Sequence, residues 1–486
     1  MSDPFTIGSV PSGVPGLDTL LGGGIPEYSF NIIAGTPGSG KTTLAHQMVF
    51  SQASTSCQAI YFSALGESGL KMLRHQQRFS FFDSSKVNTC IHLVNLSDEL
   101  AEGDLDQALA RIIEEVEQRS PGLVVIDSFR SILQADRSQQ RDQMPQVLYF
   151  MRKLAMHMAS WQATTFLIGE YNLAAPENDP VVAVADSVLV LSQNIHSNAM
   201  VRKIQAIKVR GQAQVPGLHT FRISQVGIEV FPRAMVKIST GGEAAQGGAD
   251  RRISVGIAKL DDMLGGGLPT GYSMLIVGPT GSGKTILATQ FLATGAQLGE
   301  PGVLAAFEKN PSQLLNGTMN HLMTEGKIGV IDTRSLSMSI DETLHELVAM
   351  IDKMNAKRVV IDSLSGFELA LAPEFRDEFR GCLYRMIAVL TARGVTVLMT
   401  SELEDRYSEL RFSPFGSAFL ADVVVVQRYV QIEGEFKRVI AVVKVRASAH
   451  STALHLFTID EKGINIGDVL SNYEAPLSDR PVKTPV

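Results

Sequence analysis

Two stretches of the chain fit one phosphate-binding pattern in full. Gly35-Thr36-Pro37-Gly38-Ser39-Gly40-Lys41-Thr42 and Gly278-Pro279-Thr280-Gly281-Ser282-Gly283-Lys284-Thr285 both read GxxxxGK[ST]. Glycines let backbone N–H groups turn inward around phosphate oxygens, and a following helix adds the positive end of its dipole. Lys41 and Lys284 are placed to reach the β- and γ-phosphates, while the hydroxyls of Thr42 and Thr285 suit Mg²⁺. Thr43 and Ile286 complete each cradle at the start of the helix. The chemistry is capture of a nucleoside triphosphate such as ATP. Binding without hydrolysis stays open until a group that activates water is found.

Asp127 and Asp362 each end an apolar run, Leu-Val-Val-Ile and Val-Val-Ile. A carboxylate at the carboxyl end of a buried strand lies where open α/β sheets bind ligands, and there it can hold Mg²⁺. An Asp after a strand also serves as a helix cap or turn residue. Hydrolysis needs a group that orients or deprotonates water. Glu67 in AIYFSALGES and Glu308 in GVLAAFEKNP end the next apolar run after each glycine loop. They are not strictly equivalent: by the repeat offset Gly66 matches Glu308, and Glu67 matches Lys309. Glu170 and Glu402, after later apolar runs, suit support or sensing. Lys208 with Arg210, and Lys444 with Arg446, each place two cations on one side of an extended segment. Such a pair clamps a phosphate on a neighbouring subunit or protects an exposed sheet edge.

These residues recur in order. Lys284 follows Lys41 by 243 residues, as Asp261 follows Asp18; Ser363 follows Ser128 by 235, and Arg446 follows Arg210 by 236. The period is too long for a solenoid and marks duplication of a whole domain. A Gly- and Ala-rich stretch between Ile238 and Ile253 reads as a linker. The expected division is domain one at 1–240, a linker at 241–252, domain two at 253–470 and a frayed tail at 471–486. Within each copy, short apolar strands at Phe30–Ala34, Leu123–Ile126 and Thr165–Ile168 alternate with helical patterns such as Thr43–Ser51. That predicts an α/β fold with a mostly parallel sheet covered by helices on both faces.

Composition narrows the reading. The chain has 486 residues, 45% hydrophobic and 19% charged, which supplies buried cores and excludes a mainly disordered protein. A net charge of −7 argues against a protein that coats nucleic acid. No apolar run reaches the roughly 18–20 residues that span a bilayer, and no signal peptide is read at the N-terminus. The three cysteines, Cys57, Cys90 and Cys382, have no metal-ligand spacing and fit a reducing, cytoplasmic setting.

With SGVPGLDTLLGGGIP before one glycine loop, VGIAKLDDMLGGGLP before the other, the VVIDS strand ends and the Lys-x-Arg segments, the chain resembles the KaiC-like family over about residues 8–470. These are RecA-like ATPases and autokinases of the bacterial circadian clock. The resemblance implies two tandem RecA-like P-loop domains and a homohexameric double ring with ATP and Mg²⁺ at subunit interfaces. It further implies that Glu67 and Glu308 are the catalytic acids. Lys208, Arg210, Lys444 and Arg446 then reach the γ-phosphate of the adjacent subunit. His450 matches a family interface position, where domain one has Gln214. The implied output is a nucleotide-dependent state read by signalling partners in the cytoplasm. A DNA-dependent motor is the reading from a different class.

The chain departs from that pattern in three places. The family's adjacent acids are reduced to Gly66-Glu67 and Glu308-Lys309. Its Ser-Thr phosphoacceptor pair falls on Ala418 and Phe419, leaving Ser417 one residue away as a displaced acceptor. About a dozen residues follow Asn472, fewer than the family tail that an activating partner captures. The expectation is therefore an ATPase switch, with a serine/threonine autokinase as the alternative.

Overall fold

Continuous apolar runs need cover on both faces, and the strands they form are buried from end to end. The computed structural model describes residues 8–63, 69–101, 105–127, 144–170, 180–196, 199–234, 251–307, 317–332, 339–371, 378–403, 420–461, 463–470, 473–474 and 482–483. The chain divides into two compact units, Met1–Arg233 and Ala234–Val486.

The first unit holds a nine-stranded sheet. Its strands are β1 (Phe30–Gly35), β2 (Ala59–Ser63), β3 (Ile91–Asn95), β4 (Leu123–Asp127), β5 (Thr164–Gly169), β6 (Ser187–His196), β7 (Ala199–Val209), β8 (His219–Ser224) and β9 (Gly227–Phe231). Their order is β9-β8-β7-β6-β1-β5-β4-β2-β3. The six strands from β6 to β3 run parallel, and β7, β8 and β9 add an antiparallel meander. The second unit repeats this with β10 (Ser273–Gly278), β11 (Gly302–Ala306), β12 (Ile328–Asp332), β13 (Arg358–Asp362), β14 (Thr396–Glu402), β15 (Val423–Ile432), β16 (Glu435–Val445), β17 (His455–Asp460) and β18 (Gly463–Val469). The order β18-β17-β16-β15-β10-β14-β13-β11-β12 is that of the first sheet, strand for strand.

Successive strand residues point to opposite faces. In β1, Ile33 joins a cluster with Leu44, Ala45, Met48 and Val49 of helix α1 (Lys41–Gln52). Phe30, Ile32 and Ala34 join the opposite cluster with Ile112 and Leu154, from helices Leu105–Arg119 and Met144–Ser160. The second sheet is covered the same way, by α2 (Lys284–Gln297) on one face and by Ile340–Met354 and Phe379–Ala392 on the other. These are two RecA-like α/β domains in tandem. Among the described residues, no helix is long and apolar enough to cross a membrane.

The repeated LDxLL and LDxML segments have a structural role. Asp18 accepts the Ser12 N–H at 2.9 Å, and Asp261 accepts the Val255 N–H at 2.8 Å, fixing each entry into the sheet. Most of the expected linker lies outside the described residues, but Arg252–Ile253 already pairs with Leu268–Pro269. In the tail, read as frayed, Tyr473–Glu474 pairs antiparallel with Val482–Lys483.

Candidate active site

The phosphate loops leave β1 and β10, which lie inside their sheets with parallel neighbours on both sides. The loops therefore open at the carboxyl ends of the parallel strands, the ligand-binding edge of such sheets. Gly40 and Gly283 begin the helices at φ 103° and 105°. A Cβ there would stand 2.8 Å from Ile223 Cδ1 or Ile459 Cδ1. That isoleucine tip can shift, so it is the left-handed backbone that calls for glycine.

Each loop lysine folds over its own loop. Lys41 Nζ donates to the carbonyls of Gly35 (3.0 Å) and Thr36 (2.8 Å). Lys284 Nζ donates to those of Gly278 (2.8 Å) and Pro279 (2.9 Å). Burial lowers the pKa of Lys41, against the nearby carboxylates of Glu170 and Asp127, which raise it. Thr42 Oγ1 donates to Asp127 Oδ2 at 2.8 Å, and Thr285 Oγ1 donates to Asp362 Oδ2 at 2.8 Å. The hydroxyl and carboxylate oxygens form a hard oxygen pair. Mg²⁺ favours that donor chemistry and takes its other ligands from phosphate and water. The residues present therefore fit the ion. Among the described residues there is no cluster of three His, Cys, Asp or Glu side chains that would favour a different metal site.

The two carboxylates are held differently. Tyr61 on β2 donates its hydroxyl to Asp127 Oδ2 at 2.6 Å, and His46 of α1 stacks on the Tyr61 ring with centroids 4.5 Å apart. Burial raises the pKa of Asp127, while hydrogen bonds from Tyr61 and Thr42 oppose that shift. Burial, then the Asp127 charge, keeps the Tyr61 phenol protonated well beyond its usual range. In the second domain Leu304 and Thr289 occupy the places of Tyr61 and His46. Thr400 of β14 instead donates to Asp362 Oδ1. The sequence reading missed Tyr61 and Thr400 because each sits within an apolar strand pattern.

Other expected residues are placed around these centres. In the second domain Thr280 Oγ1 donates to Glu402, so Glu402 braces the loop. Glu170 holds the matching position after β5. Lys208 Nζ donates to the carbonyls of Val182 (3.1 Å) and Ala185 (2.6 Å), and Lys444 Nζ donates to that of Ala421 (2.7 Å). Arg210 and Arg446 each pair with an aspartate at 3.1 Å, Asp186 and Asp422. Burial, then the adjacent arginine, lowers the pKa of both lysines. His450 Nδ1 lies 3.4 Å from the Ser448 carbonyl. Glu67, Glu308 and Ser417, with Gly66, Lys309, Ala418 and Phe419, lie outside the described residues. The segments that lead to the two acids are described. Ser63 ends β2 opposite Asp127, and the N–H of Phe307 donates to the Asp362 carbonyl at 2.9 Å.

A glycine cradle, its lysine and a Thr–Asp oxygen pair, all at the carboxyl edge of a parallel sheet, define a P-loop nucleotide-binding protein with two sites of one design. The family model described as "ATPase: KaiC" matches residues 10–235 and 253–471. The chain belongs to that family. It is 26% identical over 496 residues to the circadian clock oscillator protein KaiC of Thermostichus vulcanus, covering 98% of this chain and 92% of the relative. It is 24% identical to the KaiC of Synechococcus elongatus, covering 100% and 94%. It is 26% identical to the circadian clock protein KaiC3 of a Synechocystis strain, covering 98% and 95%.

Proposed function

We propose that the chain is a Mg²⁺-dependent ATPase that completes its two kinds of site between subunits of a homohexameric double ring. It would act in the cytoplasm as a nucleotide-dependent timing or signalling switch. The observation that carries this reading is the duplicated geometry. In both domains the loop lysine lies over the cradle, and the loop threonine meets a strand-end aspartate at 2.8 Å. Two copies that differ widely in sequence keep the parts that bind phosphate and metal.

In this mechanism Lys41 and Lys284 move from their loop carbonyls to the β- and γ-phosphates. Thr42 with Asp127, and Thr285 with Asp362, would hold the metal. When bound, Mg²⁺ would supply positive charge that offsets the charge on the triphosphate. Glu67 and Glu308 accept a proton from water as its oxygen attacks the γ-phosphorus. The bond to the β–γ bridging oxygen breaks, giving ADP and inorganic phosphate. Lys208, Arg210, Lys444 and Arg446, with His450 at the second interface, stabilise charge on the γ-phosphate of the adjacent subunit.

Incubation with Mg²⁺ and γ-labelled ATP tests the proposal, with free phosphate counted and the intact protein weighed. Free phosphate with unmodified protein is the expected result. Lys41→Ala with Lys284→Ala should abolish it, and Glu67→Gln with Glu308→Gln should reduce it about 100-fold or more. Unchanged turnover in the glutamine variants removes the catalytic assignment. A phosphate mass mapped near Ser417 replaces the ATPase-only reading with an autokinase. Stimulation of turnover by single-stranded DNA supports the motor instead.

A further inference from the structure

We propose that Asp186 and Asp422 are positioning residues that tie the arginine offered to a neighbouring site to the subunit's own phosphate-loop strand. The inference rests on the interfacial role of Arg210 and Arg446 given above.

Asp186 immediately precedes β6 and bonds in two directions. Toward β1, its Oδ2 accepts the Phe30 N–H at 3.0 Å, and its own N–H donates to the Phe30 carbonyl at 2.8 Å. Toward the arginine, its carbonyl accepts the Arg210 N–H at 2.9 Å, and Oδ1 accepts from Arg210 Nη1 at 3.1 Å. Asp422 repeats all four bonds before β15. Oδ2 accepts the Ser273 N–H at 3.0 Å, and the Asp422 N–H donates to the Ser273 carbonyl at 2.9 Å. Its carbonyl accepts the Arg446 N–H at 2.9 Å, and Oδ1 accepts from Arg446 Nη1 at 3.1 Å. Phe30 and Ser273 are the first residues of the strands that end in the phosphate loops.

Thermostability does not explain the arrangement. The arginine side chains are 58% and 63% exposed, and ion pairs this open to solvent add little to stability. The planar guanidinium gains direction from the pair. The neighbouring backbone repeats as well. Ile207 bulges from β7 opposite the Val188–Leu189 step of β6, and Val443 bulges from β16 opposite the Val424–Val425 step of β15, each next to Lys208 or Lys444 on its own strand. Bulges beside sites re-aim side chains. The two domains chose different partners for their metal-facing aspartates, yet this four-bond chain is the same in both. A pull on the guanidinium from a neighbour's phosphate is thereby delivered to the strand carrying the subunit's own loop.

Full-length Asp186→Asn with Asp422→Asn, Arg210→Ala with Arg446→Ala, and the combined quadruple variant test the proposal by steady-state phosphate release. The arginine pair should lower kcat about 100-fold or more. The asparagine pair should lower kcat about tenfold, with KM for ATP within about twofold. The quadruple variant should be no slower than the arginine pair, because both changes remove one function. Unchanged turnover in the arginine variant defeats the interfacial reading itself. Loss in the arginine variant with normal kcat in the asparagine variant, or multiplied losses in the quadruple, overturns the positioning role alone. If the asparagine variant no longer binds a fluorescent ATP analogue, Asp186→Glu with Asp422→Glu replaces it. That pair keeps the charge but displaces the guanidinium, so the same kcat loss is expected and normal kcat overturns the proposal.

Discussion

Asp127 and Asp362 occupy the same place in two copies of one sheet, yet their polar support comes from opposite sides. Asp127 is reached by Tyr61 from β2, and Asp362 by Thr400 from β14. The alternative positions are apolar: Ile168 lies opposite Asp127, and Leu304 takes the place of Tyr61. A buried carboxylate needs hydrogen-bond donors, but the fold does not dictate which strand supplies them. The pairing with Thr42 or Thr285 is constrained by the loop, and it is the part that both domains share.

The largest difference lies at the other end of the same strands. Arg358 begins β13 fully buried, with Nη2 and Nε donating to Glu300 at 2.7 and 2.9 Å and Nη1 donating to the carbonyls of Ser254 and Phe291. Leu123 takes its place in the first domain. Glu300→Ala leaves a buried charge unpaired and should destabilise the second domain by about 3–5 kcal/mol. Adding Arg358→Leu should restore most of that loss. Chemical denaturation of the full chain, followed by domain-specific fluorescence labels, should show the first domain unmoved in both variants.

The next effect belongs to the first domain alone. Burial depresses the pKa of His46 from 6.5 to about 4. The unfolded chain thus binds a proton that the folded domain refuses, so stability present above pH 6.5 is lost as pH falls toward 4. The loss approaches about 3 kcal/mol at the lower end. Thr289 at the matching place in the second domain has no such titration. His46→Leu should flatten the acid limb of the first domain's stability profile, measured by urea midpoints between pH 7 and 4. An unchanged profile breaks this part of the comparison.

Much of the scaffold was legible in sequence because its signals are local. Phe30–Ala34 reads as a strand and is Phe30–Gly35; Thr43–Ser51 reads as the helix that follows, and that helix is longer at both ends, Lys41–Gln52. Continuous apolar runs of about five residues, followed by glycine turns, leave few alternatives. Tyr61 and Thr400 were not legible as site residues, since a Tyr or Thr in an apolar strand reads as packing. Only the strand register brings their hydroxyls to the aspartates. Asp186 and Asp422 did carry a signal. They are 236 residues apart, the spacing of Arg210 and Arg446, but the sequence alone does not show that aspartate and arginine meet.

That register also allows an exchange of the two solutions. Outer partners of a metal ligand typically contribute about 10–100-fold to affinity. Tyr61→Phe should weaken Mn²⁺ binding, read by electron paramagnetic resonance with ATP present, about tenfold in the first domain and leave the second unchanged. Thr400→Val should do the reverse. Ile168→Thr added to Tyr61→Phe should recover part of the loss, because residue 168 lies opposite Asp127 as Thr400 lies opposite Asp362. Failure to recover means that the side of approach matters, and the two sites are then not interchangeable.

The smallest contrast concerns the loop serines. Ser282 Oγ donates to Gln427 Oε1 at 3.1 Å, whereas Ser39 Oγ in the first domain is buried without a partner among the described residues. Leu191 stands where Gln427 stands in the other copy. Gln427 Nε2 is itself buried and has no partner among the described residues. Gln427→Leu therefore strands one hydroxyl but removes one stranded amide group, and each such group costs about 1–3 kcal/mol. The two nearly cancel, so the melting temperature should shift by less than about 4 °C, and ATP affinity of the second domain should stay within about threefold. A larger loss of affinity would mean that Gln427 shapes the second phosphate loop through Ser282, a constraint the first loop does without.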